Sequence, residues 1–358
     1  MNVFLFVLYL AGIAVIFYLL AKICTHYFVE SLELFARKLK MSEDIAGATL
    51  MALGGSAPEF LIVIISLLYP GNHANIGAGA IVGSAIFNIL MVIGAAAVLH
   101  TAKLSWKPVV RDVTFYLIAI LSLFLIFQDG AVHWHEALTL VSIYCIYLFA
   151  LRTWQKFLPK KDKKIMLDDF SEDVEAHEKK RFFFVEKLLG KIFIDLDKKP
   201  KYYLFVFFEC LFFIALLSWG LVTIAMKISN MLNIPEAFIA LTIVAIGTSI
   251  PDLMAASFMA KRGRGGMAIA DALGSNIFDI LFGFGFPWLV YTLLTQRDLL
   301  VSTENLHGSV LLLSATVIMI FLLLLLRHFK IGRSVGVLLI SCYGLYIIYT
   351  ILQVLKIA

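Results

Sequence analysis

Two short blocks place a carboxylate beside a proline inside long apolar runs. GGSAPE covers residues 54–59 and GTSIPD covers residues 247–252. Proline removes a backbone N–H and clashes with the carbonyl four positions earlier, so Pro58 and Pro251 should open the helix locally. In hydrocarbon, a freed carbonyl and a buried carboxylate are costly unless they face protein, water or an ion. The blocks therefore indicate two polar, broken points within apolar helices.

A second pair of blocks follows the first pair. GSAIFN covers residues 83–88 and GSNIFD covers residues 274–279. The copies are separated by 193 residues for the first pair of blocks and by 191 for the second, which indicates an internal repeat. Side chains three or four positions apart share a helix face. This spacing groups Ser56 with Glu59, Ser249 with Asp252, Ser84 with Asn88, and Ser275 with Asp279.

These side chains offer only oxygen ligands. Carboxylate, amide, hydroxyl and backbone oxygens suit hard cations such as Ca²⁺ and Na⁺, and the blocks contain no His or Cys that would favour zinc or copper. Glu59, Asp252 and Asp279 carry three negative charges if all are ionised. A buried site would then be neutralised by Ca²⁺ with K⁺, by several Na⁺ or by protons. A single such block is more often a kink or a packing feature, but the duplicated set favours a cation site.

The composition around the blocks is that of a membrane protein. Of the 358 residues, 61% are hydrophobic and 15% are charged, whereas soluble domains carry about 25% charged residues. The net charge of +5 comes from loops between apolar runs and does not indicate a nucleic-acid partner. The sequence predicts an all-α polytopic membrane protein whose partners are inorganic cations and membrane lipids. We expect no cofactor and no enzymatic activity.

The apolar runs predict ten spans, because a bilayer crossing requires roughly 20 helical residues. The spans are about 3–25, 44–69, 75–99, 112–128, 134–155, 202–226, 235–260, 267–294, 307–326 and 334–355. The repeated blocks fall in spans 2 and 3 and in spans 7 and 8. Five spans per half is an odd number, so the second half enters the membrane from the opposite side. The predicted domains are a first five-helix repeat (1–155), a linker (156–201) and a second, inverted five-helix repeat (202–358).

Lys and Arg are distributed unequally between the two sides. Twelve lie in short loops after odd-numbered spans, and three lie in the opposite loops and the C-terminal segment. The positive-inside rule then places the basic loops and the 156–201 linker in the cytosol and both termini outside, in the plasma (cell inner) membrane. Within the linker, residues 181–193 are typical either of an amphipathic helix on the inner leaflet or of solvated chain with one apolar patch.

The blocks GGSAPE, GTSIPD and GSNIFD resemble those of the cation/calcium exchanger superfamily, which includes the sodium/calcium exchangers. They look most like the potassium-dependent branch and its prokaryotic relatives. The resemblance implies that Glu59 and Asp252 are the central calcium ligands. It also implies that Asn88 and Asp279 flank them, with Asp279 implicated in K⁺ dependence. The further residues that it implies for cation sites, through side chains or carbonyls, are Ser56, Ser84, Thr248, Ser249, Ser275, Ala52, Ala245, Thr49 and Thr242.

The leading functional hypothesis is a secondary antiporter that exchanges Na⁺ for Ca²⁺ by alternating access around a midplane site, with K⁺ co-transport left open. An H⁺/Ca²⁺ antiporter is the close alternative. A cation channel is a third hypothesis. The fourth is an intramembrane aspartyl protease using Asp252 and Asp279, although the chain has no GxGD motif. The resemblance also implies that spans 1 and 6 slide against the other eight. The oligomeric state is open, and we expect a monomer as the functional unit.

The two halves differ at one informative position of the first blocks. Gly55 stands where Thr248 stands in the second half. A missing hydroxyl removes one ligand and opens space. We hypothesise that this position tolerates a larger ion such as K⁺.

Overall fold

The structure is a computed structural model that describes residues 3–39, 52–71, 73–154, 189–196, 198–261, 263–301 and 304–357. Thr49, and residues 155–188 of the linker region, lie outside this part of the chain. The described residues form an almost wholly helical protein, as the sequence predicts.

Eleven helices are described, and the first five belong to the N-terminal half. They are α1 (Phe4–Lys38), α2 (Ala52–Leu68), α3 (Ala74–Leu99), α4 (Trp106–Ile126) and α5 (Trp134–Trp154). The C-terminal half contributes α6 (Tyr203–Leu232), α7 (Glu236–Thr248), α8 (Ile250–Lys261), α9 (Gly265–Thr295), α10 (Glu304–Leu326) and α11 (Arg333–Ile357).

Eight helices of the described chain are long and apolar enough to cross a membrane. The bent pair α7 and α8 adds a ninth crossing if it forms a single span. Helix α2 is apolar but has only 17 described residues. Such long apolar helices satisfy their backbone polar groups internally, which lipid requires. The protein is therefore a multi-pass membrane protein.

Helix α1 is longer than the sequence predicts. Span 1 was expected to end near residue 25, but the helix continues for 35 residues to Lys38, through a π-helical segment at Ile23–Phe28. Its second part is stabilised by packing, because Phe28 stacks on Phe207 of α6 at 5.5 Å between ring centroids. At 1.5 Å per residue the helix is about 50 Å long, so it must tilt or project beyond a hydrocarbon core of about 30 Å.

The sequence predicts that the helix opens at Pro58 and at Pro251, and the structure confirms this for Pro251 in the seventh span. Helices α7 and α8 meet at Ser249 and are bent by 41°. Pro251 has no N–H to offer the carbonyl of Gly247, and glycine there further weakens the helix. Pro58, by contrast, lies inside the described helix α2.

Two π-helical segments begin at polar residues of the second pair of blocks. One covers Asn88–Val92 in α3 and the other covers Asp279–Phe284 in α9. A π-helical turn interrupts the regular α-helical hydrogen-bond pattern and is frequent at functional sites. No pattern in the sequence predicts these segments.

Helices α3 and α9 form the centre of the protein. Of the residues in the most apolar stretch of α3, 83% are buried within the protein, and the corresponding share in α9 is 61%. The corresponding share in α1 is 22%. The polar residues of the second pair of blocks therefore lie on the most enclosed helices.

Four short strands join the two halves. Strand β1 (Ala102–Lys103), after α3, pairs with β4 (Lys330–Ile331), after α10. Strand β2 (Ala131–Val132), after α4, pairs with β3 (Leu299–Leu300), after α9. Both pairs are antiparallel and each takes one strand from each half.

The described end of the linker packs on protein. Leu189, Phe193 and Leu196 are buried against α1 and α6, and the ring of Phe193 stacks on Tyr27 at 4.5 Å between centroids. Only residues 189–193 of the segment 181–193 lie in the described part of the chain, so both interpretations of this segment stay predictions.

Candidate cation site

Three carboxylates from different helices lie close together in the interior. Glu59 of α2 and Asp279 of α9 are each 1% exposed, and Asp252 in the first turn of α8 is 8% exposed. Asp252 interacts electrostatically with Glu59, and Asp279 interacts with both. Charged groups in a bundle interior require a partner, a proton or a cation.

The two proline-containing blocks contact each other across the repeat. A Cβ added at Gly55 would lie 3.1 Å from Oδ1 of Asp252, so the backbone of the first block directly faces the carboxylate of the second. The Thr248 hydroxyl, in turn, interacts with the Glu59 carboxylate. Each carboxylate thus faces the block of the opposite half.

Ser84 connects these blocks from the central helix α3. Its hydroxyl lies 2.8 Å from the hydroxyl of Ser249, at the break between α7 and α8, and it donates to Oε1 of Glu59 over 3.4 Å. All three side chains are buried. Ser84 therefore holds residues of both halves in one hydroxyl and carboxylate cluster.

Asn88 is oriented by two hydrogen bonds. Its Nδ2 donates to Oδ2 of Asp252 and to Oδ1 of Asn276, both over 3.0 Å. With both amide hydrogens used, the carbonyl oxygen Oδ1 points elsewhere. It is buried and has no hydrogen-bond partner among the described residues.

Three other oxygens of the site share this property. Within the described chain, Oγ of Ser56, Oε2 of Glu59 and Oδ1 of Asp279 are buried and form no hydrogen bond of good geometry, and the Ser56 hydroxyl interacts with the Asp279 carboxylate. Leaving a buried polar atom unpaired costs about 1–3 kcal/mol, and more for a charged group. Hydroxyl, carboxylate and amide oxygens are the ligands that Na⁺ and Ca²⁺ take. The arrangement is therefore suited to binding hard cations.

The carboxylates alone do not form a metal cage. In the described part of the chain, no group of three or more His, Cys, Asp or Glu residues is placed to hold a metal ion. A cation bound here would need serine, asparagine or backbone oxygens to complete its ligand shell. The mixed oxygen set expected from the sequence stays a prediction.

The polar groups of the remaining candidate residues mainly form hydrogen bonds with their own or the adjoining helix turn. Thr242 donates to the carbonyl of Phe238 over 2.7 Å, and Ser275 donates to that of Ala272 over 3.3 Å. The Ala245 carbonyl accepts from the backbone N–H of Ser249 over 3.2 Å. Ala52 is half-buried at the first described turn of α2, and Thr49 lies outside the described residues.

The sequence of the chain matches a known protein family. The sequence model of the family described as "Sodium/calcium exchanger protein" matches residues 9–152 and 202–352. These two ranges cover most of the chain and contain every candidate residue. The chain belongs to the sodium/calcium exchanger protein family.

Curated relatives within this exchanger family are similar over nearly the whole chain. Sodium/potassium/calcium exchanger 2 of Gallus gallus is 26% identical, with 98% of this chain and 77% of the relative covered. Sodium/potassium/calcium exchanger 5 of Homo sapiens is 27% identical, with 94% of this chain and 81% of the relative covered. The resemblance to the potassium-dependent branch thus extends well beyond the blocks.

Solved structures of exchangers share the fold. The sodium-calcium exchanger NCX_Mj, soaked with Na⁺ and Sr²⁺, is 26% identical with a TM-score of 0.58, and 95% of this chain and 98% of that chain are covered. The H⁺/Ca²⁺ exchanger CAX has a TM-score of 0.69 at 15% identity, with 95% and 82% covered. The likeness to CAX concerns the fold alone.

In this exchanger, the long helix α1 covers the site. A Cβ at Gly54 would lie 3.1 Å from Cδ1 of Leu32, and a Cβ at Gly247 would overlap the ring of Phe17. Both glycines immediately precede the part of their block that carries the candidate ligands. Only glycine allows α1 to approach the backbone this closely at Gly247.

Sequence reasoning missed two polar residues of the exchanger site. Asn276 accepts from Asn88 and donates to the hydroxyl of Tyr116 over 2.8 Å, and both Asn276 and Tyr116 are fully buried. The signal for Asn276 was its difference from Ala85, its counterpart in the first half. Tyr116 lies in α4, outside both repeated blocks, and no sequence pattern indicated it.

Proposed function

We propose that this protein is a secondary antiporter that exchanges Na⁺ for Ca²⁺, using Glu59 and Asp252 as central ligands. The observation that carries the proposal is the meeting of the two blocks, where Gly55 faces Asp252 and Ser84 connects Ser249 with Glu59. Membership of the exchanger family and the exchangers among the relatives support cation/Ca²⁺ exchange.

The architecture that we propose is ten spans in two inverted five-helix repeats, with α2 as the second span and α7 with α8 as the seventh. The strand pairs support it. Exchanging the two halves converts the β1–β4 pair into the β3–β2 pair, as a two-fold relation between inverted repeats requires. The match of one family model to residues 9–152 and 202–352 supports the division at the linker 156–201.

Alternating access would occur by movement of α1 and α6 relative to the other helices. The two helices pack on each other, and α1 lies directly over Gly54 and Gly247. Such movement would expose the buried cluster to one side at a time. The share of buried residues in the most apolar part of α1, 22%, is the lowest among the eight long apolar helices of the described chain, which supports its mobility.

We further propose that both termini are extracytoplasmic, that the linker is cytosolic and that the protein resides in the plasma (cell inner) membrane. The distribution of Lys and Arg supports this orientation. The functional unit would be a monomer in contact with membrane lipids, because a single chain supplies both blocks of the site.

K⁺ co-transport is the finer part of the proposal. The curated relatives named above are sodium/potassium/calcium exchangers, and Gly55 lacks the hydroxyl that Thr248 carries in the other half, so the Asp252 carboxylate comes close to its backbone. Asp279 contributes a third carboxylate with an unpaired oxygen. If all three carboxylates are ionised, bound Ca²⁺ leaves one negative charge, which an additional monovalent cation would neutralise.

Transport in proteoliposomes tests the proposal and its alternatives. We expect ⁴⁵Ca²⁺ uptake when vesicles contain Na⁺, uptake that needs this counter-ion and saturates with Ca²⁺. A pH gradient in the absence of Na⁺ should not drive it. Uptake driven by the pH gradient would favour H⁺/Ca²⁺ exchange, and flux without any counter-ion would favour a channel. If a transmembrane peptide incubated with the protein remains uncleaved, this would count against the protease hypothesis.

The K⁺ component is tested in the same vesicles. We expect external K⁺ to increase Na⁺-driven ⁴⁵Ca²⁺ uptake by the native protein and to have less than half that effect on Asp279→Asn. Asp129→Asn, at an exposed loop, is the control. Equal K⁺ responses of the native protein and Asp279→Asn would contradict the role given to Asp279.

A further inference from the structure

The hydrogen bonds of Asn88 lead outwards from the site to Tyr116 of α4. We propose that Tyr116 is a positioning residue that, through Asn276, keeps the carbonyl oxygen of Asn88 directed towards the transported cation. The inference rests on the proposed cation exchange, and it concerns a residue outside the repeated blocks.

The orientation of Asn88 depends on its two acceptors. Its Nδ2 faces Oδ2 of Asp252 and Oδ1 of Asn276, each at 3.0 Å. If the amide were reversed, its oxygen would oppose two acceptor oxygens. The observed orientation therefore keeps Oδ1 on the side where no described residue donates to it, available as a ligand.

The acceptor role of Asn276 is fixed by the Ala85 carbonyl, which can only accept, and is supported by the Tyr116 hydroxyl, which takes the second amide hydrogen. Nδ2 of Asn276 donates to the hydroxyl of Tyr116 over 2.8 Å and to the carbonyl of Ala85 over 3.2 Å. With both amide hydrogens directed away, Oδ1 is left to face Asn88. The contact with Tyr116 is the shorter of the two, and its loss would leave a buried N–H without a partner.

This arrangement exists in only one half of the repeat. The counterpart of Asn276 is Ala85, which has no side-chain amide, and the counterpart of Asn88 is Asp279. A carboxylate has two equivalent oxygens and needs no such orientation, whereas an amide presents a ligand on one side and donors on the other. The chain of hydrogen bonds from Tyr116 through Asn276 to Asn88, which we call the relay, is therefore found in the half where the proposed ligand is an amide.

A purely structural role for Tyr116 makes a different prediction, and Tyr147 provides the matched control. Tyr147, in α5, is also buried. Its hydroxyl donates over 3.3 Å to Oδ1 of Asp112, which lies on α4 as Tyr116 does, but away from the carboxylate cluster. Removing either hydroxyl should affect folding similarly. Only removal of the Tyr116 hydroxyl should change cation affinity.

The experiment compares Tyr116→Phe with Tyr147→Phe. We expect Tyr116→Phe to raise the Ca²⁺ concentration for half-maximal Na⁺-driven uptake about tenfold, which corresponds to about 1.4 kcal/mol. Its maximal rate should stay within about twofold, since the relay acts on binding. Tyr147→Phe should shift the half-maximal concentration by less than twofold.

A double-mutant cycle then places the effect at Asn88. Asn88→Asp has a ligand oxygen but no amide hydrogens to orient, so in this background Tyr116→Phe should change Ca²⁺ affinity less than twofold. An equal shift in both backgrounds, or equal shifts for Tyr116→Phe and Tyr147→Phe in the native background, would overturn the inference.

Equilibrium ⁴⁵Ca²⁺ binding to the purified variants separates this inference from the proposed function. Native protein that binds Ca²⁺ but shows no Na⁺-driven uptake would refute the exchange activity, while the binding data would still test the relay. Binding that is unaffected by Tyr116→Phe, in protein that exchanges Na⁺ for Ca²⁺, would refute the relay alone.

Discussion

Nδ2 of Asn88 donates to Oδ2 of Asp252 over 3.0 Å, although the two residues are 164 positions apart and belong to opposite halves of the chain. The contact places an amide from the central helix α3 against the carboxylate at the break between α7 and α8. It shows that the second pair of blocks and the first pair form a single cluster.

Asp252→Asn should nearly abolish calcium binding. The substitution removes one negative charge and places an amide against the amide of Asn88. We expect the apparent Kd for Ca²⁺ to rise at least about a hundredfold, since removing one partner of a buried charged contact costs about 2–5 kcal/mol. Equilibrium ⁴⁵Ca²⁺ binding measures it, with Asp129→Asn as the exposed control. Native affinity in Asp252→Asn would exclude Asp252 as a ligand.

Gly55→Ser should weaken the response to K⁺. The new Cβ would lie 3.1 Å from Oδ1 of Asp252, so the hydroxyl would occupy space beside the carboxylate and add a ligand. We expect the stimulation of ⁴⁵Ca²⁺ uptake by K⁺ to fall by about half or more. Gly344→Ser, where a Cβ meets nothing within 4 Å, is the control. An unchanged K⁺ response would contradict the idea that Gly55 makes room for this ion.

Gly247→Ala should disturb the packing of α1 over the site. The added methyl group would overlap the ring of Phe17, and overpacking of this kind costs about 1–3 kcal/mol. We expect a thermal unfolding midpoint lower by several degrees, partly restored when Phe17→Ala is added. Gly12→Ala is the control, since Gly12 lies on α1, the helix that carries Phe17. A Cβ at Gly12 would meet only Cδ1 of Ile224 at 3.4 Å, so this substitution should change little. No rescue by Phe17→Ala would show that the two residues do not compete for space.

The β2–β3 strand pair should be sensitive to pH through His133. A hydrogen bond to Asp298, 2.9 Å from Nδ1, raises the pKa of His133 above its ordinary value of about 6.5. A raised pKa means that the pair stabilises the folded state fully below about pH 6.5 and loses this contribution as the pH rises through the folded-state pKa. We expect His133→Gln to lower the unfolding midpoint at pH 5.5 but not at pH 9.

The size of this effect should be small, because the side chains of His133 and Asp298 are 33% and 54% exposed and water screens them. His100→Gln, at an exposed histidine beside the β1–β4 pair, provides the control. A larger difference at pH 9 than at pH 5.5 would reverse the sign and contradict the assignment.

The sequence by itself determined the membrane class, the repeat and the central carboxylates. Apolar runs of about 20 residues have few alternatives to membrane helices, because lipid leaves backbone polar groups no other partners. The blocks around Glu59 and Asp252 were visible because duplication places the same unusual residues twice in one chain. Such local patterns need no knowledge of which helices meet.

Only the tertiary structure decided how the cluster is assembled. The continuation of α1 to Lys38 depends on contacts with α6, and the π-helical segments at Asn88 and Asp279 depend on packing in the centre of the bundle. Whether Tyr116 reaches Asn276 is a matter of contact between α4 and α9, 160 residues apart. Hydrogen bonds between distant helices leave no period or spacing in the sequence, so the sequence did not indicate the residues that we propose to orient a ligand, although it indicated the candidate ligands.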